Sequence, residues 1–229
     1  MNNEFDQYLA VTKFFDFDDP AVQAYAERVV DGETDPKQQA IKLYNAVRDD
    51  IRYNPYVFKT EARSLSASYC LEAGESYCIP KAVLLGAMAR FVGIPSRIGL
   101  ADVTNHMSSP QLIEYLKSDI FVMHGFTELY IEGKWVKATP AFNAKLCTLM
   151  GVHPLEFDGE NDSIFHEFGE DGERHMEYLA DHGTFADVPF DFIVDSVNKA
   201  YPHLTVEAGS YKKVLAGSSL DEDMAEIQA

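Results

Sequence analysis

The chain has 229 residues, of which 46% are hydrophobic, and its formal net charge at pH 7 is -18. A chain of this size can bury one substantial core with at most a modest appendage. The acidity disfavours a nucleic acid partner, because nucleic acid binding needs basic side chains to neutralise phosphates. We expect neither a membrane association nor a signal peptide, since no apolar run approaches about 18 residues and residues 1–8 are polar and acidic.

The three cysteines, Cys70, Cys78 and Cys147, form neither an even disulfide framework nor a CxxC metal pair. Free thiols are typical of a reducing compartment, so we expect a cytoplasmic protein. We predict a core over residues 1–150, an extension packed on that core over 151–215, and an acidic, frayed tail over 216–229. The sequence carries no signal for an oligomeric state.

The first half of the chain favours helices. An Asp followed by Pro is typical of a helix start, because the carboxylate accepts orphan amides and Pro suits the first turn. Such starts, apolar residues at helical spacing and glycine stops predict helices over 20–31 and 34–52. Residues 53–74 are irregular and predict a loop with short elements. The apolar segment 79–92 predicts a central helix that is buried on nearly every face.

The second half mixes strands with short helices. Residues 97–103 predict a strand, and Ser109-Pro110 predicts the start of a short helix. Alternating residues over 120–131 and 135–139, with a glycine turn between them, predict a hairpin. Two further helices are predicted over 173–181 and 189–201.

Cys78 is the candidate nucleophile. A thiolate attacks carbonyl carbon, so a catalytic cysteine needs surroundings that lower its pKa. Cys78 stands immediately before Ile79-Pro80, where the amides and dipole of a buried helix favour negative charge. Cys70 and Cys147 have no comparable position and are expected to be small buried side chains.

His124 is the candidate base. It lies on the first strand of the hairpin and shares a strand face with Phe126. A two-residue turn at 132–133 places Phe126 opposite Thr139, which makes Thr139 a diagonal neighbour of His124. A residue that orients the imidazole belongs at this place. We therefore predict Cys78, His124 and Thr139 as the catalytic residues.

Three segments surround these residues: GESYCIPKAVLLGAMARFVGIPSR at 74–97, HGFTELY at 124–130 and GKWVKATP at 133–140. Together they resemble motifs of the transglutaminase-like superfamily, whose members are papain-like cysteine enzymes. The resemblance spans roughly 20–143 and includes the helix that leads into the first segment. It implies an α+β fold in which a central nucleophile helix packs on an antiparallel sheet. It also implies a Cys, His, Asp triad at Cys78, His124 and position 139.

Position 139 departs from that family pattern, because Thr stands where the family carries Asp. A threonine hydroxyl accepts only a neutral hydrogen bond and does not stabilise an imidazolium as a carboxylate does. Three interpretations follow. Thr139 serves as a neutral orienter, or a carboxylate replaces it, such as Glu128 or an acid within 156–171, or the site has drifted to low activity or pure binding.

The resemblance implies acyl transfer at an amide. Cys78 would attack the carbonyl, His124 would take and return the proton, and water or an amine would resolve an acyl-thioester. We expect hydrolysis of a peptide, protein or small amide substrate rather than protein crosslinking, because no extra domains or calcium sites are indicated. The alternative hypothesis is a non-catalytic or low-activity binding domain that keeps the same cleft.

Four histidines among many acids, His153, His166, His175 and His182, raise a metal hypothesis. His175 and His182 would share one helix face, but zinc pairs usually have closer spacing and a third ligand in a defined context. Glycine motifs for nucleotide phosphates, GxGxxG or GxxxxGK, do not occur. We therefore expect no metal and no cofactor, and we expect the extension to form a wall of the cleft.

Overall fold

The computed structural model describes residues 5–106, 108–164, 176–206, 210–211 and 219–227. The helices are α1 (Asp6–Leu9), α2 (Pro20–Val30), α3 (Pro36–Asp50), α4 (Ala67–Ala73), α5 (Cys78–Phe91), α6 (Pro110–Leu116), α7 (Ala144–Met150), α8 (Phe190–Ala200) and α9 (Leu220–Ile227). The strands are β1 (Arg52–Tyr53), β2 (Glu75–Ser76), β3 (Ser96–Asn105), β4 (Ile120–Ile131), β5 (Lys134–Ala138), β6 (Met176–Phe185), β7 (Thr205–Val206) and β8 (Ser210–Tyr211). None of the described helices is long and apolar enough to cross a membrane.

The two N-terminal helices begin at their predicted caps. The Asp19 carboxylate accepts the Ala21 amide at 2.8 Å, and the Asp35 carboxylate accepts the Gln38 amide at 2.9 Å. Each cap satisfies a helix amide that has no intrahelical partner, and the Pro that follows each Asp suits the first turn. The helices predicted over 20–31 and 34–52 are confirmed. Helix α2 ends one residue before its predicted end, and α3 begins and ends two residues inside its predicted limits.

Helix α5 is the centre of the core, and every residue from Cys78 to Arg90 is buried. Helices α3 and α4 and the strand β4 pack around it. Even Lys81 is fully buried, and its amino group donates to the carbonyls of Arg48 (3.0 Å) and Ile51 (2.5 Å). These carbonyls belong to the C-terminal end of α3, so Lys81 satisfies groups that the helix itself cannot. Burial lowers the pKa of Lys81 to about 7.

One antiparallel sheet, in the order β5-β4-β3-β6, packs against α5. The β4–β5 hairpin has the predicted register, in which Ile131 pairs Lys134 and Thr127 pairs Ala138. Both turn residues, Glu132 and Gly133, have positive φ angles, as a two-residue turn between twisted strands requires. The expected α+β arrangement, a central helix on an antiparallel sheet, is confirmed.

The helix predicted over 173–181 is wrong wherever the structure describes that segment. Residues 176–185 form β6, which pairs with β3 from Asn105↔Met176 to Ile98↔Phe185. Residues 173–175 lie outside the described part of the chain. The backbone of β3 needs a second partner along its open edge, and that long-range pairing outweighs a weak local preference for helix.

The C-terminal residues 220–227 are not a frayed tail, because they form the helix α9. Leu220 and Met224 are buried, and the buried Asp223 accepts hydrogen bonds from the Tyr56 and Ser109 hydroxyls. Within the extension, Ile193 of α8 joins the same hydrophobic core as α5. The division of the chain into a core, an extension and a tail stays a prediction.

Candidate active site

Cys78 is the first residue of α5 and is 9% exposed. The backbone amides of Gly125, Ile79 and Cys78 face its thiol, and each of them lowers the pKa of the thiol. Burial has the larger effect, and it raises the pKa of Cys78 to about 11. The expectation of a lowered pKa was therefore wrong in its net direction, because packing around the helix removes more water than the amides replace.

The strand β4 contacts the start of α5 at Gly125. A Cβ atom at this position would lie 2.8 Å from the Ile79 Cα atom, so only glycine allows the strand to approach so closely. Two residues further along, the Thr127 hydroxyl donates to the Ala82 carbonyl at 2.6 Å. The glycine that follows His124 in the sequence thus brings the strand that carries His124 against the helix that begins with Cys78.

His124 is buried and pairs with Ala101 of β3. Burial lowers the pKa of its imidazole to about 3, so the ring is neutral at pH 7. The residue before it, Met123, has a positive φ of 58°, and the register between β3 and β4 shifts at this point. The Met123 amide donates to the Asp102 carboxylate at 2.9 Å. Asp102 therefore fixes the bulge from which His124 projects.

Asp102 was missed in the sequence because its role depends on a bulge between two strands. Its carboxylate also lies 2.9 Å from Nε2 of His182 on β6. His182 was considered as a metal ligand, and the structure places it beside this carboxylate instead. His166 and His175 lie outside the described residues. The residues that the structure describes contain no group of three or more His, Cys, Asp or Glu side chains that could hold a metal ion.

Thr139 follows β5 and is 1% exposed. Its amide donates to the Ser163 carbonyl at 3.1 Å, and its own carbonyl accepts the Tyr44 hydroxyl at 3.1 Å. Its hydroxyl lies beside that of Tyr178 on β6, although the two oxygens lack the geometry of a normal hydrogen bond. Burial raises the pKa of Tyr178, so this hydroxyl is neutral. Tyr178 is a second neighbour of the site that the sequence did not indicate.

The carboxylates considered as replacements for Thr139 have other partners. Glu128 accepts from Arg97, its directly opposite neighbour on β3, at 2.6 Å. Glu156 accepts from Arg48 at 3.1 Å, and Asp162 accepts the Lys137 amide at 2.9 Å. Within the segment 156–171, residues 165–171 lie outside the described part of the chain.

Cys78 and His124 line one cavity of about 90 Å³. Its other walls come from residues 53–58, α6, the first residues of β4, and α8 with the residues that follow it. Thr139 is not part of this lining. The fold thus brings the predicted nucleophile and base to one cavity, whereas Thr139 lies beside Tyr178 and does not line that cavity.

The sequence model of the transglutaminase-like superfamily matches residues 23–140. No curated protein matches the chain. A solved structure of a candidate cysteine protease from Cytophaga hutchinsonii aligns with a TM-score of 0.51 at 15% identity, over 84% of this chain and 50% of that one. A second solved structure, of a candidate protease from Parabacteroides distasonis, aligns with a TM-score of 0.37 at 14% identity, over 58% of this chain and 25% of that one. The chain spans about half the length of the first protein, and that match supports the fold alone.

Proposed function

Because the chain belongs to the transglutaminase-like superfamily, we propose that it is a cysteine-dependent acyl-transfer enzyme that hydrolyses a peptide or amide bond. Cys78 is the nucleophile and His124 is the general base in this proposal. The observation that carries it is that both side chains line one cavity, with the thiol at the N-terminus of α5 and in contact with three backbone amides. Residues 23–140, which match the family, include both of them and Thr139.

The resting site is neutral in this proposal. At pH 7 a thiol with a pKa of about 11 keeps its proton, and an imidazole with a pKa of about 3 has none. His124 therefore removes the thiol proton as the sulfur attacks the amide carbon, rather than before the substrate arrives. The imidazolium then gives that proton to the leaving nitrogen as the carbon–nitrogen bond breaks, and an acyl-thioester remains on Cys78.

Water completes the reaction. His124 takes a proton from the water as its oxygen attacks the thioester, and the proton returns to the sulfur when the carboxylic acid leaves. The backbone amides that face the Cys78 sulfur stand close to the oxyanion that forms in each step. Such amides stabilise developing negative charge because they are already oriented before the reaction. The amide of Cys78 itself is one of them.

Thr139 is the proposed orienter of His124. Its backbone is held on both sides by Tyr44 and Ser163, so the position of its side chain is well defined. A neutral hydroxyl suits a base that is neutral at rest, whereas the main alternative, Glu128, already pairs with Arg97. The cost is that no carboxylate at position 139 stabilises the imidazolium that forms during attack.

The second candidate function is a binding domain that keeps the cleft without turnover. It is favoured by the raised pKa of the Cys78 thiol and by the threonine at position 139. Both features weaken nucleophilic catalysis relative to a cysteine whose pKa is lowered and whose base is oriented by a carboxylate.

Acyl-enzyme trapping separates these two functions. Activated esters of small N-acyl amino acids would be mixed with the protein, quenched in acid, and analysed by intact and peptide mass spectrometry. An enzyme forms an acyl adduct at Cys78, and His124→Ala slows its formation by about 100-fold, the scale of one general base. The matched control Cys147→Ala leaves the rate unchanged. If no adduct forms, or if it forms equally fast in His124→Ala, the catalytic proposal fails.

A further inference from the structure

The cavity beside Cys78 is apolar on nearly every wall. Leu112 and Leu116 of α6 contribute to it, as do Val197 of α8 and Leu204 just beyond that helix. Among the described residues, none of the side chains that line it carries a formal charge, although the whole chain has a net charge of -18. A charged or strongly polar group placed there would lose its hydration without gaining a counter-charge.

The Tyr201 hydroxyl at this wall already has hydrogen-bond partners. The Tyr201 hydroxyl donates to the Ile120 carbonyl at 2.6 Å and accepts the Val122 amide at 3.1 Å. This side chain therefore presents its ring to the cavity rather than a free hydrogen-bonding group. A volume of about 90 Å³ far exceeds the roughly 10–15 Å³ that one water needs, so there is room for a side chain.

A second cavity of about 350 Å³ adjoins the first, and Tyr77 and Tyr115 line both. Its walls are more polar than those of the first cavity and include Lys59 and Glu75. Tyr77 immediately precedes Cys78, so a wall that the two cavities share is next to Cys78 in the chain. An extended substrate can thus place one apolar side chain in the first cavity while its polar backbone continues into the second.

We infer that the first cavity is a specificity pocket for an aliphatic or aromatic side chain. The substrates of this chain are then peptides or amides with such a side chain on the acyl residue that Cys78 attacks. The inference rests on the proposed function, because the acyl group stays attached to Cys78 and its first side chain must enter the cavity that contains that sulfur. This selectivity opposes the net acidic charge of the chain, which by itself would attract cationic substrates.

A series of N-acetyl-aminoacyl chloromethyl ketones tests the inference, because these electrophiles alkylate a thiol beside the pocket. The Leu and Phe members should inactivate Cys78 at least about tenfold faster than the Gly, Lys and Glu members, which corresponds to the burial of a single apolar side chain. Rates are measured by mass spectrometry of the Cys78 peptide. Repeating them at about 0.5 M salt removes long-range attraction of the Lys member by the acidic surface.

Two tryptophan variants of α6 provide a matched pair. Leu116 lines the pocket, whereas Ile113 on the same helix is 37% exposed and does not. Leu116→Trp fills the pocket and should reduce the Phe-to-Gly rate ratio to about one. The iodoacetamide rate measures how accessible Cys78 is in each variant, and a ratio of two ketone rates cancels a change in that access. Ile113→Trp should preserve both the ratio and the iodoacetamide rate. Val197→Phe fills the opposite wall and serves as a second variant if Leu116→Trp does not fold.

The outcomes distinguish the inference from the function on which it rests. Equal inactivation of Cys78 by the Gly, Leu and Lys members would overturn the apolar pocket and leave the enzyme proposal intact. An unchanged Phe-to-Gly ratio in a folded Leu116→Trp variant would overturn it as well. If neither the ketones nor iodoacetamide modify Cys78 in preference to Cys70 and Cys147, the proposed nucleophile fails and the specificity pocket fails with it.

Discussion

The two sides of the candidate site are built in opposite ways. At Cys78, backbone approaches backbone, because Gly125 allows β4 to lie against the start of α5 and to direct an amide at the thiol. At Thr139, side chain approaches side chain, because the hydroxyls of Thr139 and Tyr178 lie together without a charge between them. The first side supplies fixed dipoles, and the second supplies only neutral oxygen atoms. Activation of the thiol therefore depends on oriented backbone amides more than on ion pairing.

The pH dependence of thiol alkylation has the largest expected effect. Since burial raises the pKa of Cys78 to about 11, the thiolate fraction should rise about tenfold per pH unit, or about 1000-fold between pH 6 and pH 9. Iodoacetamide labelling of each cysteine peptide, followed over that range, measures it. Cys78 should react fastest, because Cys70 and Cys147 are more deeply buried. A plateau for Cys78 between pH 5 and pH 7 would instead indicate a thiolate paired with an imidazolium.

A methyl group at Gly125 would test the backbone side directly. In Gly125→Ala the new Cβ would meet the Ile79 Cα at 2.8 Å, so the strand must move away from the helix. We expect about a 100-fold loss of turnover, as for other small displacements of catalytic groups, with about 1 to 3 kcal/mol of destabilisation. Leu129→Ala, which truncates a fully buried side chain on the same strand, is the control for destabilisation alone. Equal losses of turnover in both variants would contradict a specific role for Gly125.

Changes at Thr139 would test the hydroxyl side. Thr139→Val keeps the shape and removes the acceptor, and it should cost about 1 to 3 kcal/mol of transition-state stabilisation, or roughly 5- to 150-fold in kcat/KM. Thr139→Asp should raise the pKa of the imidazole and move activity toward higher pH. Both effects are read from pH–rate profiles.

Glu128→Gln is the matched control for Thr139, since Glu128 pairs with Arg97. It should affect the stability of the fold more than the rate. If Thr139→Val were indistinguishable from wild type while Glu128→Gln abolished turnover, the carboxylate would be the orienter and Thr139 would have no catalytic role.

The smallest effect is on stability in acid. The pKa of His124 is about 3 in the folded chain against about 6.5 when unfolded, so between these values the unfolded chain binds a proton that the folded chain does not. This stabilising contribution is fully present above pH 6.5 and is lost as the pH falls toward 3. The loss of stability amounts to about 2 kcal/mol by pH 5.

Urea unfolding of wild type and His124→Gln at pH 7 and pH 5 would measure this effect. The variant should show a difference between the two pH values that is smaller by about 2 kcal/mol. His203→Gln, at a half-buried histidine outside the Cys78 cavity, should retain the wild-type difference. An unchanged difference in His124→Gln would show that the imidazole is not buried in its neutral form.

Much of the scaffold could be predicted, because its signals are local. The caps Asp19 and Asp35 defined the helix starts, and the length of the turn defined the register of the β4–β5 hairpin. The expected α+β fold followed from three short motifs and is confirmed. The catalytic roles of Cys78, His124 and Thr139 stay predictions.

Other parts of the molecule could not be predicted because their partners are far away in the chain. Strand β6 forms against the edge of β3, more than 70 residues earlier in the sequence. Helix α9 is ordered because Asp223 binds hydroxyls of Tyr56 and Ser109. Local conformational preferences are weak, and in both places hydrogen bonds and burial that exist only in the folded chain outweigh them.

The sequence by itself determined which residues stand at the entry of a buried helix and on the neighbouring strand, since caps, turn length and apolar spacing act over a few residues. Only the tertiary structure decided the chemical state of those residues. The amides at the start of α5 lower the pKa of the Cys78 thiol, as its position predicts. The walls of the cavity exclude water, and this raises the pKa by more than the amides lower it. Desolvation depends on everything that surrounds a group, and those surroundings are assembled from distant segments.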